Sequence, residues 1–195
     1  VTASLRDRIA IIGWGSLIWD LDDLASKVSG GWATGAGPVL PIEFSRISPK
    51  RLMSLVAVID PEHGDPCRTH AIASARGAVD DAAADLARRE RAPDFRIGLV
   101  CARTGRARSS DPRIAGIVAD WCAGEGARGA VWTDLPRNFE AETGTQFDVA
   151  AGLAYLRGLG PEAAAEARRY IDGAPRETDT PLRRALAAAP WWMAR

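Results

Sequence analysis

Two stretches of the chain carry residue types suited to chemistry. The first ends at Glu90. Val79, Ala82, Ala83, Leu86 and Ala87 recur at i, i+3, i+4 and i+7, which predicts a helix over residues 79–91 with one apolar stripe. One further step along that stripe reaches Glu90, so a carboxylate is carried on the core-facing side at the helix's C-terminal end. Desolvation and the negative end of the helix dipole both work against the charged form there, conditions that suit a general acid/base. The same residues allow another outcome, in which the helix frays and Glu90 pairs in solvent with Arg88, Arg89 or Arg91.

The second stretch is Gly13-Trp14-Gly15-Ser16-Leu17-Ile18-Trp19, which follows a short apolar strand at 8–12. Two glycines directly after a strand let consecutive backbone N–H groups converge on a carboxylate or an oxyanion. The segment has neither the third glycine of a dinucleotide fingerprint nor the Gly-Lys-Ser/Thr of a P-loop, and a purely structural turn is the competing reading. Ser16 lacks the G-x-S-x-G elbow, and only His63 and His70 could serve as its base, which argues against a serine triad. Two histidines on different elements, with no cysteine at ligand spacing, give no metal site. Trp14 and Trp19 flank the loop and could wall a pocket. Glu43 is a second carboxylate candidate, with an ion pair to an arginine at the strand edge as its default role.

Elements that could position these groups are legible from periodicity. Strands are predicted at 8–12, 40–44, 52–59, 69–75, 95–100 and 130–135, and helices at 79–91, 113–122, 149–159 and 162–171. The polar segment 103–112 reads as a loop. Gly158-Leu159-Gly160-Pro161 marks a stop and a restart between the last two helices. No internal repeat or long linker divides the chain, so a single domain of mixed α and β elements over residues 1–195 is the economical expectation.

Composition narrows the function classes. The 195 residues include 25 Lys and Arg against 25 Asp and Glu, and zero net charge argues against nucleic acid or an anionic membrane as the main partner. Cys67, Cys101 and Cys122 form no CxxC and no paired framework, which suits a reducing cytosol. No apolar run approaches the roughly 20 residues that span a bilayer, and the run at 9–12 is too short for a signal peptide. A soluble cytoplasmic protein is expected. Trp191 and Trp192 are expected to seal the domain or to make a homodimer contact.

The two stretches are joined by a resemblance. Ile12-Gly13-Trp14-Gly15-Ser16-Leu17-Ile18-Trp19 closely resembles the Gly-Tyr-Gly-Ser-Leu-Ile-Trp signature that opens ChaC-type proteins of the γ-glutamylcyclotransferase superfamily. Residues Gly77-Ala78-Val79 through Leu86-Ala87-Arg88-Arg89-Glu90 resemble that family's strand-then-helix segment ending in Leu-x-x-Arg-Glu, whose glutamate is catalytic. The order and spacing agree, and a looser likeness at Tyr155-Leu156-Arg157 and at 167–171 extends the resemblance over residues 8 to about 175. It implies an α+β fold, a small mixed β-barrel with flanking helices. It also implies a pocket in which Gly13, Trp14, Gly15, Ser16 and Leu17 bind a γ-glutamyl substrate beside catalytic Glu90. Products would be 5-oxoproline and a free amine, with no cofactor or metal, and glutathione is one candidate substrate.

Trp14 stands where the signature has tyrosine, which exchanges a phenol for a larger indole. Arg46 is a candidate to meet a substrate carboxylate bidentately, with an ion pair to Glu43 or Asp60 as the alternative. Two other functions fit the same pocket: a binding module without turnover, and a hydrolase that delivers water and releases glutamate.

Overall fold

Every residue of the first strand, Ile9–Gly13 (β1), is buried, as its uninterrupted apolar run requires of a strand covered on both faces. The computed structural model describes residues 4–193. Further strands are Val28–Ala33 (β2), Val39–Ser48 (β3), Ser54–Ile59 (β4), Asp65–Arg68 (β5), His70–Ser74 (β6), Ile97–Cys101 (β7), Arg106–Arg108 (β8) and Gly129–Thr133 (β9). The helices are Val79–Glu90 (α1), Pro112–Glu125 (α2), Phe139–Thr143 (α3), Val149–Arg157 (α4), Pro161–Asp172 (α5), Pro181–Ala187 (α6) and Pro190–Met193 (α7). The fold is α+β. Two units interleave along the chain, one of residues 4–40 and Arg68–Leu135, the other of Pro41–Cys67 and residues 136–193.

The first unit holds a six-stranded sheet in the order β2-β6-β1-β9-β7-β8. β1 runs parallel to β9, while the remaining pairs are antiparallel. This sheet is open and the expected closed barrel does not form. Its edges explain why: β8 is three residues long and carries Arg106 and Arg108, and β2 contains exposed Gly30 and Gly31 with a register shift against β6. Short, charged or irregular edges do not continue a ladder. β8 also lies inside the segment expected to be a loop. Arg-Ala-Arg has little strand propensity of its own and is ordered by pairing with β7 and by the Arg108 Nε–H bond to the Ile97 carbonyl at 2.9 Å.

One face of this sheet is covered by α1. Val79, Ala82, Ala83, Leu86 and Ala87 join Ile9, Ile11, Ile72, Ile97, Leu99 and Val131 in one core, the stripe that the helical periodicity predicts. α2 contributes Ile114, Val118 and Cys122 as buried residues.

The second unit holds the three-stranded sheet β4-β3-β5 and helices α3 to α7. Phe44 is fully buried and meets Tyr170 edge-on, with ring centroids 6.3 Å apart. At the end of the described chain Trp192 is buried and donates its indole N–H to Asp172, 3.1 Å away. Among the described residues, no helix is long and apolar enough to cross a membrane.

Gly98 of β7 faces Trp132 of β9 across the ladder. A methyl group on Gly98 would stand 2.0 Å from Trp132 Cε2, and Trp132 is fully enclosed, so neither side can yield. Gly98→Ala is expected to destabilise the fold by about 1–3 kcal/mol, read as a lower urea midpoint. Gly116→Ala is the control: it lies exposed in α2 with nothing within 4 Å of the added carbon, and should instead stabilise by roughly 0.5–1 kcal/mol.

Candidate functional site

β1 delivers the chain into the glycine segment. Gly13 has no room for a side chain, because a Cβ there would lie 2.9 Å from Trp32 Cη2 and 3.0 Å from Ile18 Cδ1. Ser16–Ile18 then turn as a short 3-10 helix, with the Ile18 N–H bonded to the Gly15 carbonyl at 3.0 Å and the Asp20 N–H to the Ser16 carbonyl at 2.9 Å. The N–H groups of Ser16 and Leu17 open that turn, ahead of any acceptor within it. Leu17 is buried in the same core as the α1 stripe. Trp14 is buried as well, whereas Trp19 is 38% exposed.

α1 does not fray before Glu90; Glu90 is its last helical residue. Arg91 turns the chain with a left-handed φ of 52°, and its N–H caps the Ala87 and Arg88 carbonyls, after which Pro93 prevents continuation. The Glu90 side chain is 16% exposed and is not the solvent partner of Arg88, which reaches Asp85 at 3.2 Å. Its partner is Arg89. That side chain is 3% exposed; Nη1 donates to Glu90 Oε1 at 2.7 Å, and Nη2 donates to the main-chain carbonyl of Asp20. Since Asp20 is itself bonded to Ser16, one guanidinium links the carboxylate to the turn that follows the two glycines. Arg89 Nε is buried without a hydrogen-bond partner among the described residues.

No protein-family model, curated protein or solved structure matches the chain.

Gly13, Trp14, Gly15, Ser16, Leu17 and Glu90 all belong to the first unit. Arg46 belongs to the second, where Nη1 donates to the Pro136 carbonyl at 2.6 Å. Glu43 is also in the second unit and is fully buried; its carboxylate accepts the N–H groups of Phe44 at 2.7 Å and Leu182 at 3.1 Å. It therefore caps the start of α6, in place of the strand-edge ion pair that alternation suggested. Burial raises its pKa above the usual carboxylate value, with the bonds from Thr180, Phe44 and Leu182 opposing.

Cys67 and Cys122 are poorly suited to thiolate chemistry, whereas the hydrogen bond with the Thr104 side chain holds the partly exposed Cys101 thiol below its usual value. Burial pushes the Cys67 thiol up to about 11 and the Cys122 thiol up to about 12. Among the described residues no cluster of His, Cys, Asp and Glu is arranged to hold a metal ion. Periodicity did not distinguish Arg89 from its neighbours in Arg88-Arg89-Glu90-Arg91. Only the helix rotation separates it from Arg88, whose side chain is 61% exposed.

Two measurements check this description. Arg89→Met leaves Glu90 largely buried beside no counter-charge and the Asp20 carbonyl without its donor, and should cost about 1–3 kcal/mol in urea unfolding. Arg88→Met should cost less, roughly 0.5 kcal/mol. Glu43 titrates with a raised folded-state pKa, so the folded state takes up its proton before the unfolded chain does. Wild type should therefore gain stability relative to Glu43→Gln as pH falls through the raised value, with the gain complete below about 4.5.

Proposed function

We propose that this chain is a γ-glutamylcyclotransferase-like enzyme of the ChaC type, acting in the cytoplasm on a γ-glutamyl peptide or amine. Support comes from the resemblance of Gly13–Trp19 and of Leu86-Ala87-Arg88-Arg89-Glu90 to that family's two signatures. The observation that carries the reading is the Arg89 guanidinium, bonded at once to Glu90 and to Asp20 beyond the glycine turn. The end of α1 and the residue that follows the glycine turn, distant in sequence, are thereby joined.

A γ-glutamyl amide holds its own nucleophile. The substrate's α-amine is protonated at neutral pH and must lose a proton before it attacks the γ-carbonyl. Glu90 accepts that proton as general base. The amine then closes a five-membered ring onto the γ-carbon, and the N–H groups of Gly15, Ser16 and Leu17 hold the oxyanion or the α-carboxylate. Protonated Glu90 returns the proton to the departing nitrogen as the C–N bond breaks, leaving 5-oxoproline and the free amine. Internal attack supplies much of the acceleration through proximity, and no cofactor enters the balance.

A second reading is favoured by one specific contact. Glu90 Oε1 already holds Arg89 at 2.7 Å, as a purely structural ion pair would. On that reading the same pocket binds a small zwitterion without turning it over.

Incubation with a panel of γ-glutamyl peptides and amines should release 5-oxoproline. Glu90→Gln, which keeps the shape but cannot act as base, should lower the rate at least about a hundredfold with an unchanged circular dichroism spectrum. Equal rates in both proteins, or no turnover of any panel member, would sink the enzymatic reading. A rise in melting temperature with 5-oxoproline in both proteins, without turnover, would support the binding module.

A further inference from the structure

Two buried side-chain donors of the first unit stand against the glycine segment with nothing to donate to. The indole Nε1–H of Trp32, in β2, is buried and has no hydrogen-bond partner among the described residues, and the Nε–H of Arg89 is in the same condition. A folded chain seldom leaves a buried N–H without an acceptor, because water has been removed and nothing replaces it. Two such groups at one segment point to an acceptor supplied from outside the chain.

Packing fixes both groups there. Trp32 lays the Cη2–Cζ3 edge of its ring on Gly13: a Cβ at that glycine would lie 2.9 Å from Cη2 and 3.3 Å from Cζ3. The ring also packs on the core that holds Leu17 and the α1 stripe. Trp32 as a whole is only half-buried, which leaves the ring an open side for a ligand to approach. At the far end of the segment, Arg89 Nη2 donates to the Asp20 carbonyl. The guanidinium is planar and its Nε–H lies on the Nη2 edge, so the vacant donor shares the edge that reaches the segment. With its side chain 3% exposed, Arg89 has little access to bulk water.

The chemistry of the partner follows from these groups. Both vacant groups are donors, so the partner brings oxygen acceptors, and two donors fit the two oxygens of a carboxylate. Glu90 already answers the Arg89 charge through Nη1. A second carboxylate is therefore accepted only with a donor that faces Glu90, and an α-amino or α-amido acid carries one on the neighbouring atom.

We infer that Trp32 is a ligand-binding residue of the candidate site, its indole N–H, with the Nε–H of Arg89, holding the carboxylate of an α-amino or α-amido acid. The inference rests on the proposed assignment of Gly13, Trp14, Gly15, Ser16 and Leu17 to the substrate pocket. It gives the α-carboxylate to side chains and leaves the N–H groups of Gly15, Ser16 and Leu17 to the oxyanion.

Calorimetric titration of the full chain with 5-oxoproline and with 2-pyrrolidinone, the same ring without the carboxylate, tests this. Trp32→Phe keeps an aromatic ring against Gly13 and removes the N–H. It should weaken 5-oxoproline roughly tenfold and leave 2-pyrrolidinone within about twofold of wild type. In wild type, the assigned Trp32 indole proton should move downfield on saturation with 5-oxoproline and stay in place with 2-pyrrolidinone, a measurement that needs no variant. Equal losses for the two compounds mean that the ring only packs, and an unchanged affinity for 5-oxoproline means that water alone meets the N–H. Either result overturns the inference and leaves the Glu90 reading standing, as does failure of 5-oxoproline to bind wild type while γ-glutamyl compounds are turned over. Selective weakening of 5-oxoproline without turnover of any γ-glutamyl compound upholds the inference and removes the reaction. Neither binding nor turnover overturns both.

Discussion

Burial of the α1 stripe is the constraint from which the arrangement of the candidate residues in the first unit follows. Val79 and Leu86 enter the core with Ala82, Ala83 and Ala87 between them, and fully burying a Val or Leu side chain is worth about 1.5–3 kcal/mol. Three alanines let the helix backbone approach the sheet closely while the larger residues fill the gaps. A helix held by one face cannot rotate, so the direction of every other side chain on it is settled at the same time. Arg88 is turned to solvent and Arg89 inward, although the two are adjacent and chemically identical. Leu17 belongs to the same core, which ties the glycine turn to the same packing.

Burying a guanidinium has a consequence of its own. A charge removed from water is tolerated only where it is answered by opposite charge and by hydrogen-bond acceptors. Arg89 meets that demand at its two Nη atoms, with the Glu90 carboxylate at the end of the helix and the Asp20 carbonyl just beyond the glycine turn, while its Nε has no hydrogen-bond partner among the described residues. Stability and the geometry of the candidate residues thus rest on the same interaction. The second unit buries carboxylates in two contrasting ways. Glu43 has main-chain and hydroxyl donors, and burial raises its pKa; for Asp60 the desolvation is outweighed by hydrogen bonds from the Ser45 side chain and the Glu62 and His63 main chain and by the neighbouring His63, and its pKa is lowered.

Strong periodicity was the most reliable guide to the fold. α1 follows its predicted stripe from Val79, and β1, β4, β6, β7 and β9 lie within a few residues of the apolar runs that announced them. β2, β5 and β8 were not legible. Val-Ser-Gly-Gly-Trp-Ala, Asp-Pro-Cys-Arg and Arg-Ala-Arg lack strand propensity, and their extended form is imposed by neighbouring strands. The barrel failed for the related reason that closure depends on two edges meeting, a non-local event that no local pattern encodes. Helical spacing put Glu90 on the core-facing stripe, whereas the structure leaves it partly buried, outside the core cluster and paired with Arg89, one of the three arginines the sequence offered. Which of the three it meets was not legible, because four consecutive charged residues look alike until the helix is rotated against a sheet.

The place of Trp32 was invisible for a similar reason. It stands in a strand that its own residues do not announce, and nothing near it in sequence points to Gly13. What the sequence determined by itself is what local spacing can determine: the elements with strong apolar periodicity, the glycine turn after β1, the neutral charge balance and the carboxylate carried at the end of α1. Tertiary structure alone decided which of several adjacent arginines is buried, that the sheet stays open, and that Trp32 and Arg89, far apart in sequence, meet the glycine segment. Those outcomes depend on which surfaces pack against each other, and packing partners are selected by the whole chain.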